Sequence, residues 1–381
     1  MEIYLVGGAV RDRLLGLPVR EKDWVVVGAS PQDMLDQGFK QVGKDFPVFL
    51  HPETKDEYAL ARTERKTGHG YKGFAFHTST DVTLEQDLRR RDLTINAMAE
   101  APDGTLIDPY HGQQDLNAGV LCHVSSAFAE DPVRILRIAR FAAQFGKWGF
   151  KVAHSTNELM RKMVDNGEIN YLVPERVWAE LAKALATDSP EQFFTVLRGC
   201  HALAVLFPEI DREYPHEGQT HNDKPGIAAL DALQASVSHG EDPRLRFSVL
   251  IQALGHDFTQ QQRTRQAGTL CKSFHAPNDY TQLALSAIKL EQKAGSDKPE
   301  DILELMESSG AFKQSERWRL LLSVYLAAGL IDQRRADKLI EVSTNAASVN
   351  AAQLEDQNLK GPALGAAIRT KRLELIRNAP M

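Results

Sequence analysis

The chain has few cysteines, no long apolar run and no excess of positive charge. Its three cysteines, Cys122, Cys200 and Cys271, are scattered without the spacing of a disulfide framework or a metal site, so we expect a reducing, cytoplasmic setting. No apolar run approaches the length of a membrane span, and no basic stretch followed by a long apolar one indicates a signal peptide. The net charge of −6 argues against a uniformly basic nucleic-acid binder, but a local basic cluster can still bind phosphate.

Composition and pattern predict a globular protein of two to four domains. The chain has 381 residues, of which 43% are hydrophobic and 25% charged, as in ordinary globular proteins. It contains no internal repeat and no low-complexity tract. Beyond Glu130 the pattern is almost wholly helical, and the polar stretches 212–226 and 294–299 indicate linkers. The first part therefore reads as α+β, with β-type runs at 3–6, 24–27, 47–50, 57–61, 94–99, 105–107 and 120–124.

A glycine turn near the start is typical of a site that binds phosphate. The strand-like run 3–6 leads into Gly7 and Gly8, where the backbone can turn tightly and approach a ligand. Residues 9–15 follow as a short amphipathic helix that carries Arg11. Its first turn offers free backbone N–H groups to an anion. This order of parts predicts a place for a nucleoside triphosphate.

Alternating carboxylates follow the turn. Glu21 and Asp23 precede the β-rich run 24–27, and residues two apart on a strand point to the same face. Two such oxygen ligands suit Mg²⁺. Glu57, in another strand-like run, could be a third carboxylate or simply a solvated strand residue.

A basic cluster precedes the run 94–99. Arg89, Arg90 and Arg91 suit phosphate through their planar forks. Asp92 and Asn96 could bond ribose hydroxyls. The alternative is a solvated basic face that nearby carboxylates, Glu85 and Asp87, neutralise.

A third cluster opens the helical part of the chain. Asp131 followed by Pro132 predicts a helix with Asp131 as N-cap. Arg134, Arg137 and Arg140 recur every three residues and therefore drift slowly around one side of that helix. Asp131 and Arg134 together offer acceptor oxygens and a donor fork, which could read the edge of a base.

Two further motifs carry less chemistry. Asp108-Pro109-Tyr110-His111-Gly112 predicts a turn. The helix at 175–181 contains Arg176 and Glu180, for which caps or ion pairs are the favoured interpretation.

Six motifs in this order resemble those of the bacterial tRNA nucleotidyltransferases, the CCA-adding enzymes. Each is moderately specific alone, and the ordered set over residues 1 to about 210 is highly specific. Residues 42–52 are similar to the proteobacterial multifunctional type in particular. The motifs are Gly7-Gly8-Ala9-Val10-Arg11-Asp12, Glu21-Lys22-Asp23, Arg90-Arg91-Asp92-Leu93-Thr94-Ile95-Asn96-Ala97, Asp108-Pro109-Tyr110-His111-Gly112, Glu130-Asp131-Pro132-Val133-Arg134 and Glu175-Arg176-Val177-Trp178.

The resemblance implies an architecture and a reaction. It implies a polymerase-β-like head with a mixed sheet at 1–138, and a helical neck at 139–210, with nucleotide-selecting residues beginning at 130. A helical body at 211–275 and a helical tail at 276–381 would follow. The enzyme would add C, C and A from CTP and ATP to the tRNA 3′ end without a template. Its partners would be ATP, CTP and the acceptor arm and elbow of tRNA, with no membrane, and it would be a monomer or homodimer.

The resemblance also implies roles for single residues. Glu21 and Asp23 would hold Mg²⁺ in a two-metal site, with Glu57 as the third catalytic carboxylate. One departure is visible, because the family usually has aspartate where this chain has Glu21. The remaining residues would contact the nucleotide (Gly8, Arg11, Arg91, Arg137, Arg140), sense its ribose (Asp92, Asn96) and pair with its base (Asp131, Arg134).

The second half departs further from the multifunctional type. Those proteins carry a His-Asp pair of a phosphohydrolase metal site in the body, and here Gln252-Ala253 stands in its place. An upstream histidine is replaced within Ala228-Ala229. The pair His256-Asp257 falls four residues out of register. Since imidazole and carboxylate ligands are missing, we expect no phosphohydrolase activity.

Three alternatives remain. A bacterial poly(A) polymerase would share the head, although residues 43–46 and the negative net charge disfavour it. An enzyme adding only CC or only A is a second, although the long segment 63–80, with its glycines, favours A addition. A catalytically dead tRNA-binding module is the third, and the intact carboxylates argue against it.

Overall fold

The computed structural model describes residues 1–42, 48–66, 74–214, 227–354 and 359–379, with backbone alone for 64–66 and 74–78. The chain divides into two compact units. The first comprises Met1–Ala184 and Gln192–Leu206, and the second comprises Leu185–Glu191 and Phe207–Met381. The finer division into head, neck, body and tail stays a prediction.

A mixed sheet forms the centre of the first unit. Its seven strands lie in the order β3-β4-β5-β2-β1-β8-β9. β1 pairs antiparallel with β2 and β8, whereas β2 pairs parallel with β5. This confirms the predicted α+β class with a mixed sheet. The strands of the sheet are β1 (Glu2–Val6), β2 (Asp23–Val27), β3 (Lys40–Val42), β4 (Val48–Leu50), β5 (Glu57–Leu60), β8 (Ala99–Glu100) and β9 (Leu106–Ile107), beside the pairs β6 (Arg62–Lys66) with β7 (Phe74–Thr78) and β10 (Val120–Leu121) with β11 (Lys151–Val152).

Both faces of the sheet are buried. Val25 packs with Val6 and Ala99 on one face, and Val26 packs with Phe49 on the other. This explains why β2 reads as a continuous apolar run rather than as an alternating one. Asp23 lies two residues before Val25 and therefore projects to the same face.

The helices follow the predicted change of character along the chain. In the first unit they are α1 (Gly8–Leu14), α2 (Pro31–Asp36), α3 (Leu84–Arg89), α4 (Gly112–Ala118), α5 (Val133–Phe145), α6 (His154–Asp165), α7 (Pro174–Leu185), α8 (Glu191–Gly199) and α9 (Ala202–Leu206), with the last residue of α7 and the first of α8 in the second unit. The second unit contains α10 (Pro208–Asp211), α11 (Ala228–Ala235), α12 (Pro243–Gln252), α13 (Gln260–Ser273), α14 (Asn278–Ala294), α15 (Pro299–Ser309), α16 (Ser315–Ala327), α17 (Gln333–Ala347) and α18 (Gly361–Asn378). The predicted linker at 294–299 joins α14 to α15.

The predicted strand at 94–99 is largely wrong. Thr94–Asn96 forms a turn of 3₁₀ helix, and only Ala99–Glu100 is strand. The turn closes because backbone N–H groups of Asn96 and Ala97 donate to Leu93 and Thr94, and the Thr94 hydroxyl donates to Asp115 at 2.6 Å. These contacts override the β propensity of the run.

Other predicted boundaries shift or fall outside the described residues. The run 120–124 is strand only at Val120–Leu121. The segment 63–80 includes a hairpin of β6 and β7. Its three glycines, Gly68, Gly70 and Gly73, lie outside the described residues, as do 43–47 and most of the linker 212–226.

Helices of the second unit pack around one apolar core. Leu245 and Val249 of α12, Leu283 and Ala287 of α14, and Trp318 of α16 belong to this core. Among the residues described, no helix is long and apolar enough to cross a membrane.

Candidate active site

One cleft of the first unit, of about 870 Å³, brings together all the predicted site residues. They come from α1, from β2 and the residues just before it, from β5, from the segment after α3, and from α5 and the residues just before it. The fold thus brings residues that are more than a hundred positions apart in the sequence into one cleft. The predicted residues that line the cleft are Gly8, Arg11, Glu21, Asp23, Glu57, Arg91, Asp92, Asn96, Asp131, Arg134, Arg137 and Arg140.

The absence of a side chain at Gly7 leaves room for the Arg91 guanidinium in the cleft. Gly7 has φ 72°, a conformation that favours glycine. A Cβ at Gly7 would lie 2.9 Å from the Arg91 guanidinium, so a larger residue would collide with it. The backbone N–H of Gly7 donates to Met98 at 3.2 Å. The turn thereby fixes the start of α1 beside Arg91.

Two carboxylates lie side by side on neighbouring strands. Asp23 of β2 is directly opposite Glu57 of β5 in the parallel register, so both side chains share a face. Burial raises the pKa of Asp23, and so does Glu21, while Arg91 opposes them. A carboxylate in such a position is stabilised by a cation.

The donor set suits Mg²⁺ with substrate oxygens. In the described part of the chain, no three His, Cys, Asp or Glu side chains are grouped closely enough to enclose a metal ion. Glu21, Asp23 and Glu57 therefore line the cleft without forming a closed cage. Mg²⁺ commonly binds through one or two carboxylates plus phosphate and water, and these residues fit that kind of site.

A chain of buried hydrogen bonds crosses the cleft from α1 to α5. Arg11 Nη1 donates to Asn96 Oδ1 at 2.6 Å, and Asn96 Nδ2 donates to Asp92 Oδ1 at 3.2 Å. Arg137 Nε donates to Asp92 Oδ2 at 2.7 Å. Asp12 accepts from the other side of Arg11 at 2.7 and 2.8 Å. The amide of Asn96 consequently has one defined orientation.

Asp92 is the charged residue at the centre of this series of hydrogen bonds. Its burial would raise the pKa, but the charge and hydrogen bond of Arg137 and the bond from Asn96 lower it to about 2. Asp92 is 7% exposed. It is therefore an ionised acceptor held at the junction of α5 with the segment after α3.

An aromatic pair supports the basic side of the cleft. The Arg11 guanidinium lies 5.2 Å from the ring centres of both Phe141 and Phe145. The Arg140 guanidinium lies over Phe141 at 4.1 Å. Such cation–π contacts hold planar guanidinium groups in place. Phe141 and Gln144 line the cleft and were not predicted from the sequence.

The two residues expected to read a base are each held by other partners. Arg176 donates to both oxygens of Asp131, at 2.9 and 3.3 Å. Arg134 donates to the carbonyl oxygens of Ala127 at 3.0 Å and Arg90 at 2.7 Å. The predicted N-cap is one residue off, because α5 begins at Val133, but Asp131 still accepts from the Val133 N–H at 3.0 Å.

Of the caps or ion pairs expected for Arg176 and Glu180 of α7, ion pairs form, and their partners are cleft residues. Glu180 accepts from Arg140 Nε at 2.6 Å, as Arg176 binds Asp131. Burial lowers the pKa of Arg140, against the effect of Glu180. The i, i+4 and i+7 spacing of Arg176, Glu180 and Lys183 on one helix face was the signal that could have assigned them to the cleft.

Asp87 neutralises part of the basic run, as the alternative interpretation allowed. It lies fully buried and accepts from Arg90 at 2.6 Å and from Arg91 at 3.3 Å. Burial would raise the pKa of Asp87, but the two arginines outweigh it and lower the pKa. Arg90 and Arg91 nevertheless line the cleft, whereas Arg89 does not.

The turn at 108–112 supports the segment that carries Asn96. Asp108 accepts from the N–H groups of Gly112 and Gln113 at 2.7 and 2.9 Å and so caps α4. A Cβ at Gly112 would overlap the Thr94 carbonyl. The missing side chain therefore lets α4 pack against the 3₁₀ turn that carries Asn96.

In the second unit, a polar network surrounds Gln252, where the resemblance implies a His-Asp pair. Gln252 is 4% exposed, and its Nε2 donates to Glu291 at 3.0 Å. Arg263 Nη1 donates to Glu291 at 2.6 Å, and Arg263 Nη2 to the Gln252 carbonyl. A guanidinium thus neutralises the carboxylate beside Gln252. The offset His256 and Asp257 are exposed.

Two family models match parts of the chain. Residues 3–122 match the "Poly A polymerase head domain", and residues 149–214 match the "Probable RNA and SrmB- binding site of polymerase A". Among solved structures, the chain is similar in fold to the Bacillus stearothermophilus CCA-adding enzyme in complex with CTP, with TM-score 0.65 and 22% identity over 98% of this chain and 88% of that one. It is also similar to the Thermotoga maritima CCA-adding enzyme complexed with tRNA_CCA, with TM-score 0.60 and 20% identity over 100% and 88% of the two chains.

Curated relatives are closer in sequence. The Multifunctional CCA protein of Methylococcus capsulatus is 48% identical over 99% of this chain and 95% of its own length. That of Thioalkalivibrio sulfidiphilus is 47% identical over 99% and 98%. Identity at this level along the whole chain, together with the cleft, shows that the chain belongs to the family of the multifunctional CCA proteins.

Proposed function

We propose that this chain, a tRNA nucleotidyltransferase by its family, adds C, C and A to the tRNA 3′ end in the cleft of the first unit. CTP and ATP are the substrates and pyrophosphate is released. The observation that carries the proposal is the pairing of Asp23 with Glu57 on adjacent strands, opposite a wall of arginines. Carboxylates that bind metal and guanidinium groups that bind phosphate are the parts that phosphoryl transfer requires.

Glu21, Asp23 and Glu57 are the residues proposed to hold Mg²⁺. When bound, divalent ions in such a site activate the attacking 3′ hydroxyl and neutralise the departing pyrophosphate. Arg11 and Arg91 lie at the glycine turn, where they would orient the triphosphate. No protein nucleophile is needed, because positioning and charge neutralisation account for catalysis of this type.

Arg137 and Asp92 are proposed to bind the nucleotide jointly, Asp92 at the ribose and Arg137 at the phosphates. Asp92 is an ionised acceptor, which suits a ribose hydroxyl, and Asn96 fixes its orientation from the other side. The Arg137 guanidinium, bound to Asp92 through Nε, keeps its remaining N–H groups for phosphate.

Asp131 and Arg134 are proposed to select the base. An Asp carboxylate accepts and an Arg fork donates, which matches the mixed donor and acceptor edges of cytosine and adenine. Arg176 binds both oxygens of Asp131 and would hold that carboxylate at a defined angle. Base choice would then depend on Arg176 as well as on the pair itself.

An assay with three tRNA substrates tests the reaction. The tRNAs end before CCA, after C and after CC, and CTP and ATP are supplied separately while products are sized. We expect one nucleotide or two from CTP and a final A from ATP. Stopping after CC, or adding only A, would favour the specialised enzymes, and oligo(A) tails on unrelated RNA would favour a poly(A) polymerase.

A substitution tests the metal site. Asp23→Ala should abolish transfer while tRNA binding stays largely intact, because the arginine side of the cleft is unchanged. Asp36→Asn on α2, an exposed position outside the cleft, serves as the matched control. Near wild-type transfer by Asp23→Ala would show that the metal assignment is wrong.

We further propose that the body lacks phosphohydrolase activity. An amide from Gln252, a methyl group from Ala253 and a guanidinium from Arg263 offer no metal ligand of the usual kind. Robust nickel- or magnesium-dependent hydrolysis of 2′,3′-cyclic AMP by the pure protein would contradict this. The helices of the second unit would instead contact tRNA by shape and phosphate.

A further inference from the structure

Lys183 is a cleft residue that the proposed mechanism does not use. It lies on α7, seven residues after Arg176 and three after Glu180, and all three line the cleft. Residues at this spacing share one face of a helix. Arg176 meets Asp131 and Glu180 meets Arg140, so the face of α7 that ends in Lys183 runs along α5.

Within the described residues, Lys183 differs from five arginines of the cleft in having no hydrogen-bond or ion-pair partner. Arg11, Arg91, Arg137, Arg140 and Arg176 each donate to a carboxylate. Among the described residues, Lys183 makes no hydrogen bond or ion pair, and it is exposed to solvent. Its ammonium group therefore gives up only water when it binds an anion.

The charge balance of the cleft favours a polyanion. Nine basic and six acidic side chains line it, an excess of three positive charges in a chain whose net charge is −6. Local charge of this kind attracts phosphate regardless of the total. Lys183 contributes one of these positive charges and has no ion-pair partner among the described residues.

We propose that Lys183 binds a backbone phosphate of the tRNA acceptor end as that end enters the cleft. The inference rests on the proposed function and adds a contact for its polymeric substrate. The triphosphate already has the arginines at the glycine turn, on α1 and after α3, whereas the exposed side chain of Lys183 lies near the C-terminal end of α7. It also falls within residues 149–214, which match the RNA-binding family model.

The test measures how tRNA binding by the full-length protein depends on salt. Each phosphate contact adds about 0.7–0.9 to the slope of log K against log salt. We therefore expect Lys183→Gln to reduce that slope by about 0.7–0.9 and to weaken binding about three- to tenfold at moderate salt. Lys183→Arg should restore the slope, because it restores the charge.

A matched variant separates position from charge. Lys162→Gln on α6 removes another exposed lysine, one that does not line the cleft, and it should leave the slope unchanged. If Lys183→Gln has the wild-type slope, the inference is wrong. If its tRNA binding is unchanged while the KM for CTP and ATP rises, the contact is to the triphosphate and the tRNA assignment is also wrong.

The two proposals fail in different ways. Wild-type protein that adds no nucleotide to the three tRNAs refutes the proposed function. Wild-type protein that adds CCA, with an unaltered salt slope in Lys183→Gln, refutes the role of Lys183 alone. Thermal unfolding of Lys183→Gln should match wild type, since the side chain makes no hydrogen bond or ion pair among the described residues.

Discussion

Replacing Asp92 by asparagine should destabilise the first unit in a pH-dependent way. Asp92 Oδ2 accepts from Arg137 Nε at 2.7 Å, and Oδ1 accepts from Asn96 at 3.2 Å and from the Leu93 N–H at 2.9 Å. An asparagine can keep the Oδ1 bonds. Its NH₂ group, however, would face the Arg137 N–H, so that two donors meet and a guanidinium loses its counter-ion.

The pKa of Asp92 sets the size of the effect. The folded value of about 2, against an ordinary value of 3.8, corresponds to about 2 kcal/mol of unfolding free energy at pH 7. Because the folded pKa is lowered, this stabilisation is present above the unfolded pKa and is lost as the pH falls towards 2. About half of it should be gone at pH 3.

Urea unfolding of wild type and Asp92→Asn between pH 7 and pH 3 measures this. Amide hydrogen exchange assigns the loss to the first unit, since two units need not unfold together. We expect the unfolding free energy of Asp92→Asn to lie about 2 kcal/mol below that of wild type at pH 7. At pH 3 this difference should be smaller by about 1 kcal/mol. A difference that is constant over this range would refute the reasoning, because the ion pair would then not be its source.

Three further substitutions test the cleft and the turn that supports it. Gly112→Ala should lower Tm by several degrees and transfer activity with it, because the added methyl group meets the Thr94 carbonyl where α4 packs against the 3₁₀ turn. Arg176→Met should reduce discrimination between CTP or ATP and the wrong nucleotides, measured as a ratio of kcat/KM values, because Asp131 loses its bidentate partner. Glu21→Asp should retain transfer and change its Mg²⁺ dependence, because the oxygens move inward by one methylene.

Each of these has a control or a contrary outcome. Gly268→Ala on α13, where a Cβ meets nothing within 4 Å, should leave Tm unchanged or higher, since alanine favours helix. Equal loss of kcat/KM for all four nucleotides in Arg176→Met would indicate a general packing defect instead of base selection. Identical Mg²⁺ titrations for Glu21→Asp and wild type would remove Glu21 from the metal site.

Local patterns predicted some elements well and others poorly. The strands at 3–6 and 24–27 and the helix that follows Pro132 were confirmed within a residue or two, because their apolar periodicity and cap residues act locally. The run 94–99 was predicted as strand from its β-prone residues. Its turn depends on Asp115 and on the close approach of α4 at Gly112, partners that no local window contains.

The sequence alone determined the chemistry available to this protein. The ordered motifs placed carboxylates, arginines and a glycine turn in one chain, and every predicted site residue lies in the cleft. Residue type and short-range spacing suffice for this, because they decide which groups can bind metal, phosphate or a base edge.

Only the tertiary structure decided how those groups are paired. The parallel register of β2 and β5 places Asp23 beside Glu57. The packing of α7 along α5 allows Arg176 to bind Asp131 and Glu180 to bind Arg140. The same packing leaves Lys183 without a partner in the described structure. These pairings join residues about 30 to 45 positions apart along the chain. Their energies depend on burial and on ångström-scale distances, which exist only once the strands and helices have packed.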